Sequence, residues 1–164
     1  MKVKEFVDNF KSRRIMNTKI NPNAISEYIQ NNLDIKKYIS FKDKRDIAER
    51  IVRENTQLVD GIKKNDTIGQ YISFIAAMIE SHTNLEFDAD LVSNYDLLSE
   101  SGLLLMIVNE FQDDYNECDI LLKMALASEL EDNNLNVIIG KLLNGGTAKI
   151  DAIKLLNLIT KLNK

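Results

Sequence analysis

The sequence predicts an all-α fold, a compact bundle of about six to eight helices. Apolar residues recur at i, i+3, i+4 and i+7 through most of the chain, the repeat of one helix face. Residues that cap helix starts precede several of those runs. Only 6 Gly and 1 Pro interrupt 164 residues, of which 45% are hydrophobic. A chain of that length forms one domain and buries about 70% of the surface it exposes when unfolded.

Val3, Phe6, Val7 and Phe10 make the first helical face, and the stretch Lys11 to Lys19 breaks it as a connector. Asn21-Pro22 opens the second helix, since Asn caps well and Pro at the first helical position sacrifices no bonded N–H. Ile25, Tyr28, Ile29 and Leu33 give that helix its stripe. Ile35 to Phe41 is β-branched and aromatic; it reads either as a short strand or as an extended linker packing Tyr38, Ile39 and Phe41 on the core. Ser40 and Asp43 have the spacing of a helix start. Ile47, Ile51 and Val52 then face one way, with Lys44, Arg45, Glu49, Arg50 and Arg53 pointing elsewhere. Leu58, Val59 and Ile62 lie around Gly61, a turn residue.

Asp66 or Thr67 caps the next helix, where Ile68, Tyr71, Ile72, Ile75, Ala76 and Ile79, widened by Phe74 and Met78, leave little polar circumference. Such a helix belongs in the centre. Leu91, Val92, Tyr95 and Leu98 resume the repeat until Gly102 stops it. Leu103 to Phe111 forms a short apolar helix. Beyond Asp113-Asp114, a longer one turns Tyr115, Cys118, Leu121, Leu122, Ala125 and Leu126 inward, ending near Asn133-Asn134; Leu135 to Leu143 reads as a separate helix. Asn144-Gly145-Gly146 is the clearest break. It divides a helical domain, 1–144, from a basic amphipathic helix, 145–164, with Leu155, Leu158, Ile159 and Leu162 on one face.

Charge is segregated along the chain. Residues 1–64 carry 15 Lys/Arg against 9 Asp/Glu, residues 65–139 carry 15 acids against Lys123 alone, and residues 140–164 carry 5 Lys against Asp151. Opposite charge on separate segments suits either packing of the ends on the middle or contact between copies, where complementarity sets encounter and orientation. Lys11, Arg13, Arg14 and Lys19 form a basic stretch, the one place where nucleic acid would bind, but the acidic middle repels phosphates over a Debye length of ~8–10 Å.

Chemistry is sparse. One Cys excludes an internal disulfide, and one His excludes any site needing two imidazoles. Cys118 sits on an apolar helical face, where a thiol is a small inert hydrophobe. His82 ends the central helix, where an imidazole favours the dipole and bonds a free carbonyl. A calcium loop starting at Asp88 fails, because Ser93 and Ser99 stand where Gly and Glu are required. Asp113, Asp114, Glu117 and Asp119 read as acids favoured at a helix start. Phosphate-loop, dinucleotide and serine-hydrolase motifs are absent. These readings predict no catalytic, cofactor or metal residues. No run reaches the ~18 apolar residues of a membrane span, and Met1 to Phe10 lacks the apolar core of a signal peptide.

Residues 36 to 134 hold a familiar order: Lys37-Tyr-Ile-Ser-Phe-Lys-Asp-Lys44, Tyr71-Ile-Ser-Phe-Ile-Ala-Ala-Met-Ile79, His82-Thr-Asn-Leu-Glu-Phe87, Tyr95-Asp-Leu-Leu98, Ser101-Gly-Leu103, Leu122-Lys-Met-Ala-Leu126 and Asn133-Asn134. This order resembles the small helical proteins encoded by tailed phages and prophages of Gram-positive bacteria. The resemblance implies a non-enzymatic virion-assembly or virion-associated protein without cofactor, working in the bacterial cytoplasm or on the virion. Its partners would be phage structural proteins or further copies of itself. Tail assembly chaperones, which bind the tape-measure protein, are similar in size and helical character; a head–tail or capsid accessory protein fits as well. The expected partner-binding residues are Leu155, Leu158, Ile159 and Leu162. The alternative is a phage regulator or nucleic-acid-associated protein using Lys11, Arg13, Arg14 and Lys19.

Overall fold

The structure is a computed structural model that describes residues 1–14, 22–59 and 62–143, with side chains for 1–13, 23–59 and 63–129. Among the described residues there are seven helices and one antiparallel hairpin: α1 (Val3–Arg14), α2 (Pro22–Asn32), α3 (Phe41–Asn55), β1 (Thr56–Val59), β2 (Ile62–Asn65), α4 (Thr67–His82), α5 (Leu91–Glu100), α6 (Leu103–Asn109) and α7 (Gln112–Leu143). The fold is mainly helical, as the periodicity predicts.

Each helix exists because one face has somewhere to go. On α1, Val3, Phe6 and Val7 are fully buried and Phe10 nearly so. The helix runs on to Arg14 rather than breaking at Lys11. Its aromatic rings meet α2: Tyr28 lies 5.0 Å from Phe6 and 5.1 Å from Phe10, and its hydroxyl donates to the Phe6 carbonyl at 2.8 Å. The start of the chain is bound laterally, with the Glu86 N–H donating to the Met1 carbonyl at 2.9 Å and the Val3 N–H to the Glu86 carbonyl at 3.2 Å. α1 packs on α5, α2 on α6, and α3 on both α4 and α7.

Ser40 and Asp66 cap the helices they precede, as the sequence predicts, and Asp90 caps α5, which it does not predict. Ser40 accepts from the Asp43 N–H at 3.2 Å, Asp66 from the Gly69 N–H at 3.0 Å and Asp90 from the Ser93 N–H at 3.1 Å. Each side chain satisfies a donor the helix leaves unpaired. Gly102 at φ 74° ends α5 in the left-handed conformation and lets α6 leave at a bend of 92°. Among the described residues no single helix is long and apolar enough to cross a membrane, and α5 and α6 meet that length and composition only as a bent pair.

Three local expectations are corrected. Of the two readings of Ile35 to Phe41 the strand fails and the linker holds, as irregular chain up to Ser40, with Phe41 opening α3. Ile35 and Ile39 pack on the core, while Tyr38 and Phe41 are 65% and 53% exposed. The strands lie instead at β1 and β2, where Thr56 pairs with Asn65 and Val59 with Ile62. The signal was in the chain, since Asp60-Gly61 between two short β-prone runs is a strong hairpin dipeptide. Finally, α7 runs unbroken from Gln112 to Leu143, because neither Asn133 nor Asn134 removes a backbone bond as Pro would. The Gly145-Gly146 break and the 145–164 helix lie outside the described residues.

The core is built by α4 at its centre: Phe74 to Ile79 are all buried. Its first turns are not central, for Ile68 and Tyr71 are 74% and 49% exposed.

Gly102→Ala forces a Cβ into the left-handed region, and no neighbouring atom lies within 4 Å to be displaced. The expected result is a loss of about 1–2 kcal/mol in urea unfolding from backbone strain alone, with an unchanged m-value.

Candidate functional site

The side chains most able to do chemistry meet inside the bundle. Lys44 stands one turn before Ile47 and Ala48 and two before Ile51, so the spacing that buries those residues buries Lys44 too. Its side chain is fully buried. The expectation that it points away from the Ile47 face is therefore wrong. The ammonium is satisfied from α7, donating to Asp114 Oδ1 at 2.9 Å and to Glu117 Oε2 at 2.6 Å. Tyr38 places its ring 4.3 Å below the same nitrogen.

Asp114 is the hub. One carboxylate oxygen takes the Lys44 bond; the other accepts the Ile39 N–H at 2.7 Å and faces His82 Nε2 at 3.2 Å. His82 is fully buried at the end of α4, with Nδ1 on the Met78 carbonyl at 2.9 Å and its ring stacked 4.2 Å from Phe111. Both ring nitrogens thus face oxygens, one of the backbone and one of a carboxylate. The sequence reading of His82 as a helix-end residue holds, as does its bond to a carbonyl of the last turn. What it missed is Asp114, read as one of several acids at a helix start. That carboxylate crosses instead to α3, α4 and the linker. The overlooked signal was the helical register of Lys44, since a buried cation needs a buried partner.

Burial pushes the Asp114 carboxyl up, but the Lys44 ammonium, the Ile39 N–H and His82 outweigh it and hold the group below the usual range. Burial pushes the Lys44 amine down, and Glu117 and Asp114 more than reverse it. Cys118 lies beside the cluster, fully buried, its thiol 3.5 Å from the Lys44 carbonyl. Burial raises that thiol to about 11, so it is held as the unreactive thiol.

The remaining candidate residues are scattered. Asp88 accepts from the Asp90 N–H at 3.1 Å and Asp90 caps α5, so these acids act as turn and cap groups. With Lys4, Asp96 and Glu100 they line an open groove of about 420 Å³. Among the described residues no three His, Cys, Asp or Glu side chains are arranged to hold a metal ion. Lys11 is half-buried on α1, and the Arg13 guanidinium lies 5.3 Å over the Tyr28 ring. Arg14 closes α1 with its side chain outside the described residues; Lys19 lies wholly outside them, as do Leu155, Leu158, Ile159 and Leu162. The described part of the basic stretch is therefore partly engaged within the bundle.

No family model matches this chain, and neither a curated protein nor a solved structure matches it.

Asp114→Ala leaves the buried Lys44 ammonium with Glu117 alone and frees the Ile39 N–H; a loss of about 3 kcal/mol, the low end for a broken buried pair, is expected in denaturant unfolding. Because the native Asp114 value is lowered, its contribution is complete above the ordinary carboxylate range near ~3.9 and disappears as pH falls through the native value. The parent's stability should therefore fall more steeply below about pH 4 than that of Asp114→Asn. A thiol reagent should label Cys118 at a negligible rate in buffer and fully in denaturant; rapid labelling of the native protein would show the site to be open.

Proposed function

We propose that this chain is a non-enzymatic assembly protein of a tailed phage, acting by protein–protein contact in the bacterial cytoplasm or on the virion. A tail assembly chaperone is the favoured role. The supporting observation is a division within the molecule. The ionisable groups that converge are bonded to one another in the interior, and Lys44, His82 and Cys118 are fully buried. Outside stand large apolar side chains: Ile68 at 74%, Leu105 at 73%, Met124 at 63% and Ile120 at 58% exposure. Side chains of this kind, set among segregated charge, suit recognition of another protein surface. The resemblance of the residue order to small phage helical proteins supports an assembly setting.

The test is co-expression of the full chain with tail-tube, tape-measure and head–tail proteins of a tailed phage from a Gram-positive host, followed by affinity purification. The expected result is a complex of fixed stoichiometry with the tape-measure protein. Retention of none of these proteins rejects the reading. Binding to mixed DNA with a steep negative salt slope would put the regulator in its place.

A further inference from the structure

The base of the hairpin holds two buried oxygens that no protein group answers. Among the described residues, Thr56 Oγ1 and Asn65 Oδ1 are the buried side-chain atoms without a hydrogen-bond partner. They belong to facing residues, because Thr56 pairs with Asn65 in the β1–β2 register. Side chains of a facing pair stand on the same face of the ladder. The Asp66 N–H donates to the Asn55 carbonyl at 2.8 Å. Ladder bonds alternate along an antiparallel pair, so Thr56 and Asn65, the next pair, exchange none and bring their side chains closer.

The surroundings are polar and already engaged. Asn65 Nδ2 donates to Gln70 Oε1 of α4, and Gln70 is buried. Asn55 Nδ2 donates to the Ile51 carbonyl at 2.9 Å. The backbone comes close here as well: a Cβ on Gly69 would lie 2.6 Å from Asp66 Oδ2 and 2.9 Å from Asn55 Oδ1.

We propose that this point of the fold is a binding site for one internal water molecule, bridging β1 and β2 where they meet α4. The chemistry of the two oxygens selects the occupant. A carboxamide oxygen only accepts, so whatever answers Asn65 must donate; a hydroxyl such as that of Thr56 donates and accepts. Water gives an O–H to Asn65 Oδ1 and takes the Thr56 hydroxyl proton on a lone pair. Two polar partners are enough to hold a buried water. A buried oxygen left unanswered carries its full desolvation penalty, which is why such atoms are rare in folded proteins. A divalent cation is a poorer occupant, since it takes about six or more oxygens with carboxylates among them, and the Asp66 carboxylate is bonded to the Gly69 N–H. The bridge matters because a two-stranded hairpin is marginal by itself in water. With the Lys63–Glu129 pair, the water sets where the hairpin and its exposed Leu58 stand on the helices.

A crystal structure of the full chain that shows ordered solvent, together with urea unfolding of Thr56→Val, tests this. Thr and Val have nearly the same shape and both favour strands, so the comparison isolates the hydroxyl. The expected result is one ordered water about 2.7–3.2 Å from both oxygens, and a lower unfolding midpoint for Thr56→Val, which takes a partner from the water. An unanswered hydroxyl would give the opposite sign, because its replacement by a methyl group removes a penalty. A side chain or an ion at this point, no ordered solvent there, or a Thr56→Val midpoint equal to or above the parent's overturns the inference. Should Thr56→Val fail to fold, the density in the parent decides.

Discussion

The bundle depends on the bond between Lys44 and Asp114. Removing two charges from water carries a penalty that only close mutual pairing and full hydrogen bonding offset. The site meets both conditions. Lys44 has two carboxylates and an aromatic face, and Asp114 has an ammonium, a backbone N–H and an imidazole. Because those partners come from α3, α4, α7 and the linker before α3, no one of these elements can shift without unpairing a charge. Apolar contacts would tolerate several arrangements of four such segments; the polar centre distinguishes one, in the manner of buried polar groups that fix register elsewhere.

The same contrast explains what could be read from the chain directly. Helices declared themselves where a cap preceded a clean repeat: Ser40 and Asp66 each bond a backbone N–H three residues on. Elements whose existence depends on distant residues did not. Whether Ile35 to Phe41 pairs as a strand is decided by the sheet it would join, and none is there. Continuation of α7 through Asn133-Asn134 is a weak local preference overridden by length. Lys44 was read by residue type and not by position, although its register with Ile47, Ala48 and Ile51 was visible. Its partner was hidden in principle, since Asp114 is 70 residues away and one of 25 acids. The inertness of Cys118, by contrast, was legible from its neighbours on one helix face.

Charge segregation works at a different scale from that single bond. The cluster uses one base from the basic first part and two acids from the acidic middle, and Lys63 on β2 meets Glu129 on α7 at 2.6 Å in the same sense. The first and middle segments are thus joined inside the bundle. What stands outside, among the described residues, is an acidic middle with exposed apolar side chains. A molecule arranged in this way is suited to meeting other surfaces.

α7 is 32 residues long, and only its first half carries the tie to Lys44 and His82. A second tie follows 15 residues on, where Glu129 meets Lys63 of β2. Each residue advances an α-helix by ~1.5 Å and turns it by about 100°. Loss or gain of a single amino acid between Asp114 and Glu129 would turn one of these carboxylates about 100° away from its lysine while the other stayed in place.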